Sequence, residues 1–222
     1  MTVSLPRNSL VDQQHIVLDD VSWKFYEHLL DEVGDRPLRI TYDNGSIEIM
    51  APLDVHEYWK KRIGQLVELM CLERDIKVLP AGSTTFKRED LQKGLEPDEC
   101  YYIQHADAVP KEGGLDLAKD PPPDLAIEID ITSRSIERQP VYAALGVGEL
   151  WRFDGRRLTV LRLDAGGQYA PRDASGVFPF LPMDEFNRFL RRFESEEHNT
   201  VVRAFRDWVI GLPQISPPGS NA

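Results

Sequence analysis

The sequence predicts a mixed α/β protein of one domain, with a β-sheet in the middle and helices around it. Three observations predict this class. Segments with a helical period of apolar residues stand near both ends of the chain, and strictly alternating segments fill its middle. Two turn signals, Asn44-Gly45 and Asp154-Gly155, each join a pair of alternating runs as a hairpin. The length of 222 residues is enough for a substantial core, and 41% hydrophobic with 28% charged residues is the balance of a globular chain.

Taken in order, the first helix runs from Val21 to Val33, with Phe25, Leu29, Leu30 and Val33 on one stripe and Asp20 as its cap. The hairpin RITYD-NG-SIEIM follows, its Asn-Gly pair supplying two positive φ angles. Asp54 and Glu57 have capping-box spacing before a second helix that carries Trp59, Ile63, Leu66, Val67 and Met70 on one side. Short β-like runs at 76–80 and 83–87 lead into a charged loop, REDLQKG, and then a strand from Pro97 to Ile103. After a loop with Pro110, Gly113 and Gly114, the segment PPPDLAIEIDIT alternates strictly. Leu125, Ile127, Ile129 and Ile131 face one way, and Ala126, Glu128, Asp130 and Thr132 the other. Ser133 or Ser135 caps a helix that holds Pro140 in its first turn and stops at Gly146. The second hairpin, ELWRF-DG-RRLTVLRL, precedes closing helices over Met183–Phe193 and Val201–Ile210. The domain spans 1–212, and a Pro, Ser and Gly-rich tail from Pro213 to Ala222 lies loose on the surface.

Composition excludes several function classes. No apolar stretch reaches the roughly 20 residues that span a bilayer, and the N-terminus lacks the layout of a secretory signal. Cys71 and Cys100 fit no zinc or redox spacing, so the expectation is two buried, reduced thiols in a cytoplasmic protein. The net charge of -11 is wrong for a passive DNA-binding module, which works through a basic patch. It is compatible with a nuclease, because carboxylates that gather divalent cations add formal negative charge. The small basic groups, Lys60 to Arg62, Arg156 with Arg157, and Arg191 with Arg192, read as solvated faces.

The candidate chemistry lies on the alternating strand. Glu128 and Asp130 share a face with Cα atoms roughly 7 Å apart, at about 3.3 Å of rise per residue. Burying two acids side by side costs several kcal/mol unless they are compensated, so they either face water or share a cation. Asp98 opens the preceding strand after Glu96-Pro97, and if the two strands are neighbours it converges with Glu128. Such oxygen ligands suit Mg2+ or Mn2+, which can activate a water and neutralise charge at phosphorus.

The run Glu96-Pro97-Asp98, then PDLAIEIDITSRS, then VYAALGVGELWRFD resembles the Uma family of bacterial endonucleases. That family lies within the PD-(D/E)XK restriction-endonuclease-like superfamily. The resemblance spans roughly residues 36 to 163 and takes in NGSIEIMAP and His56; order and spacing carry it rather than any one piece. It implies a restriction-endonuclease-like core, a mixed central sheet flanked by helices, with the last helices added to it. It implies Asp98 and Glu128 as metal ligands, with the carbonyl of Ile129 as a third. Glu48 would add a carboxylate through the metal's water shell, and His56 would orient a water or cap its helix. Glu149 and Trp151 match a further family segment, with Trp151 read as core.

One departure stands out. The superfamily pattern has lysine two residues after the glutamate, where this chain has Asp130. The family's alternative, a cation four residues before a tyrosine on the next helix, falls on Arg138 before Tyr142. Arginine stabilises phosphate charge but is no base at neutral pH, and Asp130 is left to bind a second metal. The resulting expectation is a metal-dependent DNA endonuclease, a homodimer by analogy with enzymes that cut two strands. The alternative is a catalytically degenerate relative that binds or regulates. A glycosidase ranks last, since no aromatic-rich groove accompanies Glu128.

Overall fold

The computed structural model describes residues 15–110, 115–131 and 136–213. In chain order its elements are β1 (His15–Leu18), α1 (Trp23–Val33), β2 (Arg39–Asp43), β3 (Ser46–Met50), α2 (Asp54–Glu73) and β4 (Leu79–Pro80). There follow β5 (Phe86–Arg88), β6 (Lys93–Leu95), β7 (Glu99–Tyr102), β8 (Leu125–Ile129) and α3 (Gln139–Ala144). The chain closes with β9 (Glu149–Phe153), β10 (Leu158–Leu163), β11 (Tyr169–Arg172), α4 (Met183–Arg192) and α5 (His198–Ile210).

The strands divide into two sheets where the sequence suggested a single one. The first has the order β1-β3-β2-β6-β5 and is antiparallel throughout. The second has the order β11-β10-β9-β8-β7-β4 and is mixed, with β8 and β9 parallel. The chain switches sheets before and after β4, and passes to the second sheet for the last time at Glu96-Pro97-Asp98. Pro97 offers no N–H to a ladder, so pairing stops at Leu95 and resumes at Glu99.

Alternation along β8 determines what covers the second sheet. Leu125, Ile127 and Ile129 join one cluster with Trp59, Ile63 and Leu66 of α2, Phe186 and Leu190 of α4, and Phe205 and Val209 of α5. Ala126 faces the other way, toward Val141 and Tyr142 of α3 and Phe86 and Leu95 of the first sheet. Covered on both faces, β8 is buried at every position. The core residues expected on α2 are buried, as are Trp151 and both cysteines, which are free thiols. Burial pushes the Cys71 thiol up to about 12. Among the described residues no helix is long and apolar enough to cross a membrane.

Several local expectations need correction. Asp20 adopts a positive φ, and Ser22 caps α1 by accepting from the Phe25 N–H at 3.2 Å. The buried stripe of α1 runs through Trp23 and Tyr26, leaving Phe25 exposed. Tyr26 lies across Gly94 of β6 so closely that a Cβ there would overlap its hydroxyl. The N-cap of α2 is Leu53, with no side-chain cap, so the Asp54–Glu57 box does not form. The two acids sit in the first turn, where the helix dipole favours them.

Asn44 and Gly45 take the two positive φ angles expected of them. The second hairpin instead turns through four residues, because the Asp154 carboxylate accepts from the Arg156 and Arg157 N–H groups, each at 2.8 Å. Within the expected charged loop, Lys93 and Gly94 enter β6. The Ser133 and Ser135 caps fall outside the described residues, and the N-cap of α3 is Arg138. So does the tail beyond Pro213, whose own carbonyl accepts from Arg74 Nη2 at 2.6 Å.

Candidate functional site

Strands β7 and β8 are neighbours, and their register sets the site. Glu99 pairs with Ile127, which puts Asp98 opposite Glu128 across an antiparallel ladder. Opposite residues share a face with Cβ atoms roughly 5 Å apart. Asp98 Oδ2 accepts the Ile129 N–H at 2.7 Å, so Asp98, Glu128 and Ile129 form one unit. Both acids are buried, Asp98 at 2% and Glu128 at 4% exposure, which removes the reading in which Glu128 lines an open sheet face.

A buried carboxylate needs compensation, and α3 supplies it. Arg138 Nη1 donates to Glu128 Oε2 at 2.9 Å, and the Tyr142 hydroxyl donates to Glu128 Oε1. Arg138 Nη2 reaches the Glu96 carbonyl, tying α3 to the corner between the sheets. Burial works against charge on Arg138; Glu128, helped by Tyr142, Asp98 and Glu48, more than restores it and holds the guanidinium above its ordinary value. Burial and the Glu128 charge push the Tyr142 hydroxyl well up, so it stays a donor.

The first sheet adds a second arginine. Arg39, on β2, donates to the Glu96 carboxylate and, at 3.1 Å, to Ser83 Oγ, and its Nε lies 3.7 Å from Asp98 Oδ1. Lys60, one turn after His56 on α2, donates to the same Ser83 hydroxyl at 2.9 Å, and its side chain is 11% exposed. It does not belong to the solvated face expected of it; it sits at the rim with Glu57, 4.0 Å away. Burial raises the Glu96 carboxyl, against the pull of Arg39, Arg138 and Lys60.

Of the remaining expected residues, Glu48 on β3 is buried at 2% and contributes to the field on Arg138. His56 is buried in the first turn of α2. Asp130 lies just past the end of β8, where its carboxylate takes Arg152 at 2.5 Å near the surface. Arg39, Glu96, Lys60 and Tyr142 were not among the expected site residues. The available signals were Arg39 inside a strand of otherwise inward-facing residues and Lys60 at helical spacing from His56.

The Uma2 family model, described as "Putative restriction endonuclease", matches residues 23–187. The chain belongs to the Uma2 family. Within that family the core is restriction-endonuclease-like, and the matched stretch includes every residue of the cluster described above. Among solved structures, a crystal structure described as a putative nuclease belonging to DUF820, from Anabaena variabilis, is similar at 15% identity. The match has a TM-score of 0.43 and covers 77% of this chain and 90% of that one. No curated protein matches the chain. As a Uma2 protein it falls in a nuclease family, and the last half of α4 with the whole of α5 extends the core beyond the matched stretch.

Enzymes of restriction-endonuclease type generally use divalent cations. Among the described residues no three His, Cys, Asp or Glu side chains converge into a cage. Asp98, Glu128 and the Ile129 carbonyl nevertheless are hard oxygen donors, the set Mg2+ takes when it keeps most of its waters. Glu48, Glu57, Glu96, Asp98 and Glu128 stand against Arg39, Lys60 and Arg138, leaving two negative charges, the amount one divalent cation balances. The donors fit, provided Arg138 shares Glu128.

Proposed function

We propose that this Uma2 protein is a metal-dependent endonuclease that hydrolyses phosphodiester bonds in DNA. The observation that carries the reading is the closeness of two buried acids, Asp98, which accepts the Ile129 N–H, and Glu128, which is paired with the buried Arg138 guanidinium. Asp98, Glu128 and the Ile129 carbonyl would hold Mg2+ or Mn2+. When bound, such a cation lowers the pKa of a water and neutralises charge at phosphorus.

The chain's own residues do the rest. Asp98, by accepting the Ile129 N–H, fixes the end of β8 and so the direction of the Ile129 carbonyl. Arg138 keeps a permanent charge beside Glu128, where it stabilises the oxyanion but cannot take a proton. Tyr142 orients the Glu128 carboxylate from the other side. Glu48 and His56 would order water around the cation, and Asp130, whose carboxylate is paired with Arg152, would stand ready for a second one. Thiols this buried agree with work in the reducing cytoplasm, and a homodimer would bring two such sites to two strands.

A second reading has its own observation. Both Glu128 oxygens already receive a donor from α3, an arrangement that is complete without a cation and suits a relative that binds nucleic acid without cutting. Incubating supercoiled plasmid with Mg2+ or Mn2+ separates the two. Nicking by the wild type that disappears with chelator, in Asp98→Ala and in Glu128→Ala, is expected. Well-folded wild type that leaves the plasmid intact in both metals establishes the binding protein instead.

A further inference from the structure

A second cavity of about 260 Å3 opens at the other end of β8, remote from Glu128. Its walls hold two buried carboxylates whose oxygens already accept hydrogen bonds. Asp124 accepts the Ile103 N–H at 2.6 Å, the His105 N–H at 3.0 Å and the His105 ring Nδ1 at 2.5 Å. Glu149 accepts from Trp151 Nε1 at 2.7 Å, Ser175 Oγ at 2.5 Å and the Gly176 N–H at 2.6 Å. Three donors each leave these carboxylates little to offer a ligand.

Two basic side chains line the opening, and His105 donates from Nε2 when its ring is protonated. His105 is half exposed, and with Nδ1 bound to Asp124 its Nε2 is the ring atom left for a ligand. Arg162 is exposed and has no ion pair among the described residues. Its guanidinium lies against Gly176, where an added Cβ would come within 2.9 Å of it. At Gly148 the wall is open: a Cβ would meet nothing within 4 Å.

We propose that this cavity is a binding site for a phosphate dianion, with Arg162 and His105 as its ligands. A planar fork beside an imidazole suits a tetrahedral oxyanion. The volume lies below the roughly 300–1,000 Å3 of sites that bury drug-sized molecules, so it suits a small headgroup. The dianion is free phosphate or the 5′-phosphate end of a strand. The proposal does not rest on the nuclease reading.

Calorimetric titration of the full chain tests it, with inorganic phosphate and with a short deoxyoligonucleotide carrying or lacking a 5′-phosphate. Saturable phosphate binding is expected, weakened at least tenfold in Arg162→Met and in Gly148→Val, and kept in Asp98→Ala. Gly148→Val fills the cavity without touching a charge, and unchanged thermal midpoints in both variants show that folding is intact. Tighter binding of the phosphorylated strand than of phosphate assigns the strand end; equal binding assigns the free anion. Absence of saturable binding to either, or equal affinity in wild type and both variants, overturns the site.

Discussion

At the scale of single residues, the Arg138–Glu128 pair dominates the energetics. Both side chains are about 5% exposed, so neither charge has water to fall back on. Removing one partner leaves a buried charge alone, at a cost of roughly 3–5 kcal/mol, whereas replacing both by apolar groups is often near neutral. Arg138→Met is therefore expected to lower the denaturant midpoint sharply. Arg138→Met with Glu128→Leu should recover most of that loss, as read from urea unfolding of the four members of the cycle. A double variant no more stable than Arg138→Met would show that Arg138 acts mainly through the Glu96 carbonyl.

At the scale of elements, α1 meets the first sheet through Tyr26, Trp23 and Tyr42, three rings with centroids 5.0–5.3 Å apart. The closeness of Tyr26 to β6 depends on Gly94, whose missing side chain is the space the phenol occupies. Tyr26 is fully buried and cannot swing into solvent. Gly94→Ala is thus expected to destabilise by about 1–3 kcal/mol, the usual range for overpacking. A thermal midpoint equal to that of the wild type would mean that α1 shifts freely on its sheet. The register between β7 and β8 matters in another way: a slip of one residue would turn Asp98 and Glu128 to opposite faces and dissolve the site.

For the whole molecule, one cluster joins α2, four strands of the second sheet, and both closing helices. Phe186, Phe205, Val201 and Val209 are fully buried there although α5 lies beyond the stretch that matches the family. Each such side chain contributes roughly 1.5–3 kcal/mol by leaving water, so the core is not self-sufficient without them. A chain ending at Pro182 is expected to bind a hydrophobic dye and to unfold without a cooperative transition, while the full chain melts in one step. A truncated chain with the same sharp transition would make α4 and α5 a separate unit.

What the sequence by itself determined is what depends on near neighbours. Helical period placed α2, α4 and α5, alternation placed β8 with its two faces, and Asn44-Gly45 placed the first hairpin, because each reports which side of an element is wet. Spacing and resemblance were also enough to single out Asp98, Glu128 and Arg138 as members of one cluster. Only the tertiary structure decided the division into two sheets, which no periodicity announces. It alone brought Arg39 to Glu96 from 57 residues away and Lys60 to Ser83 from 23. Those partners are chosen by where strands and helices pack. A charge seen in sequence carries no mark of which distant charge will share its burial.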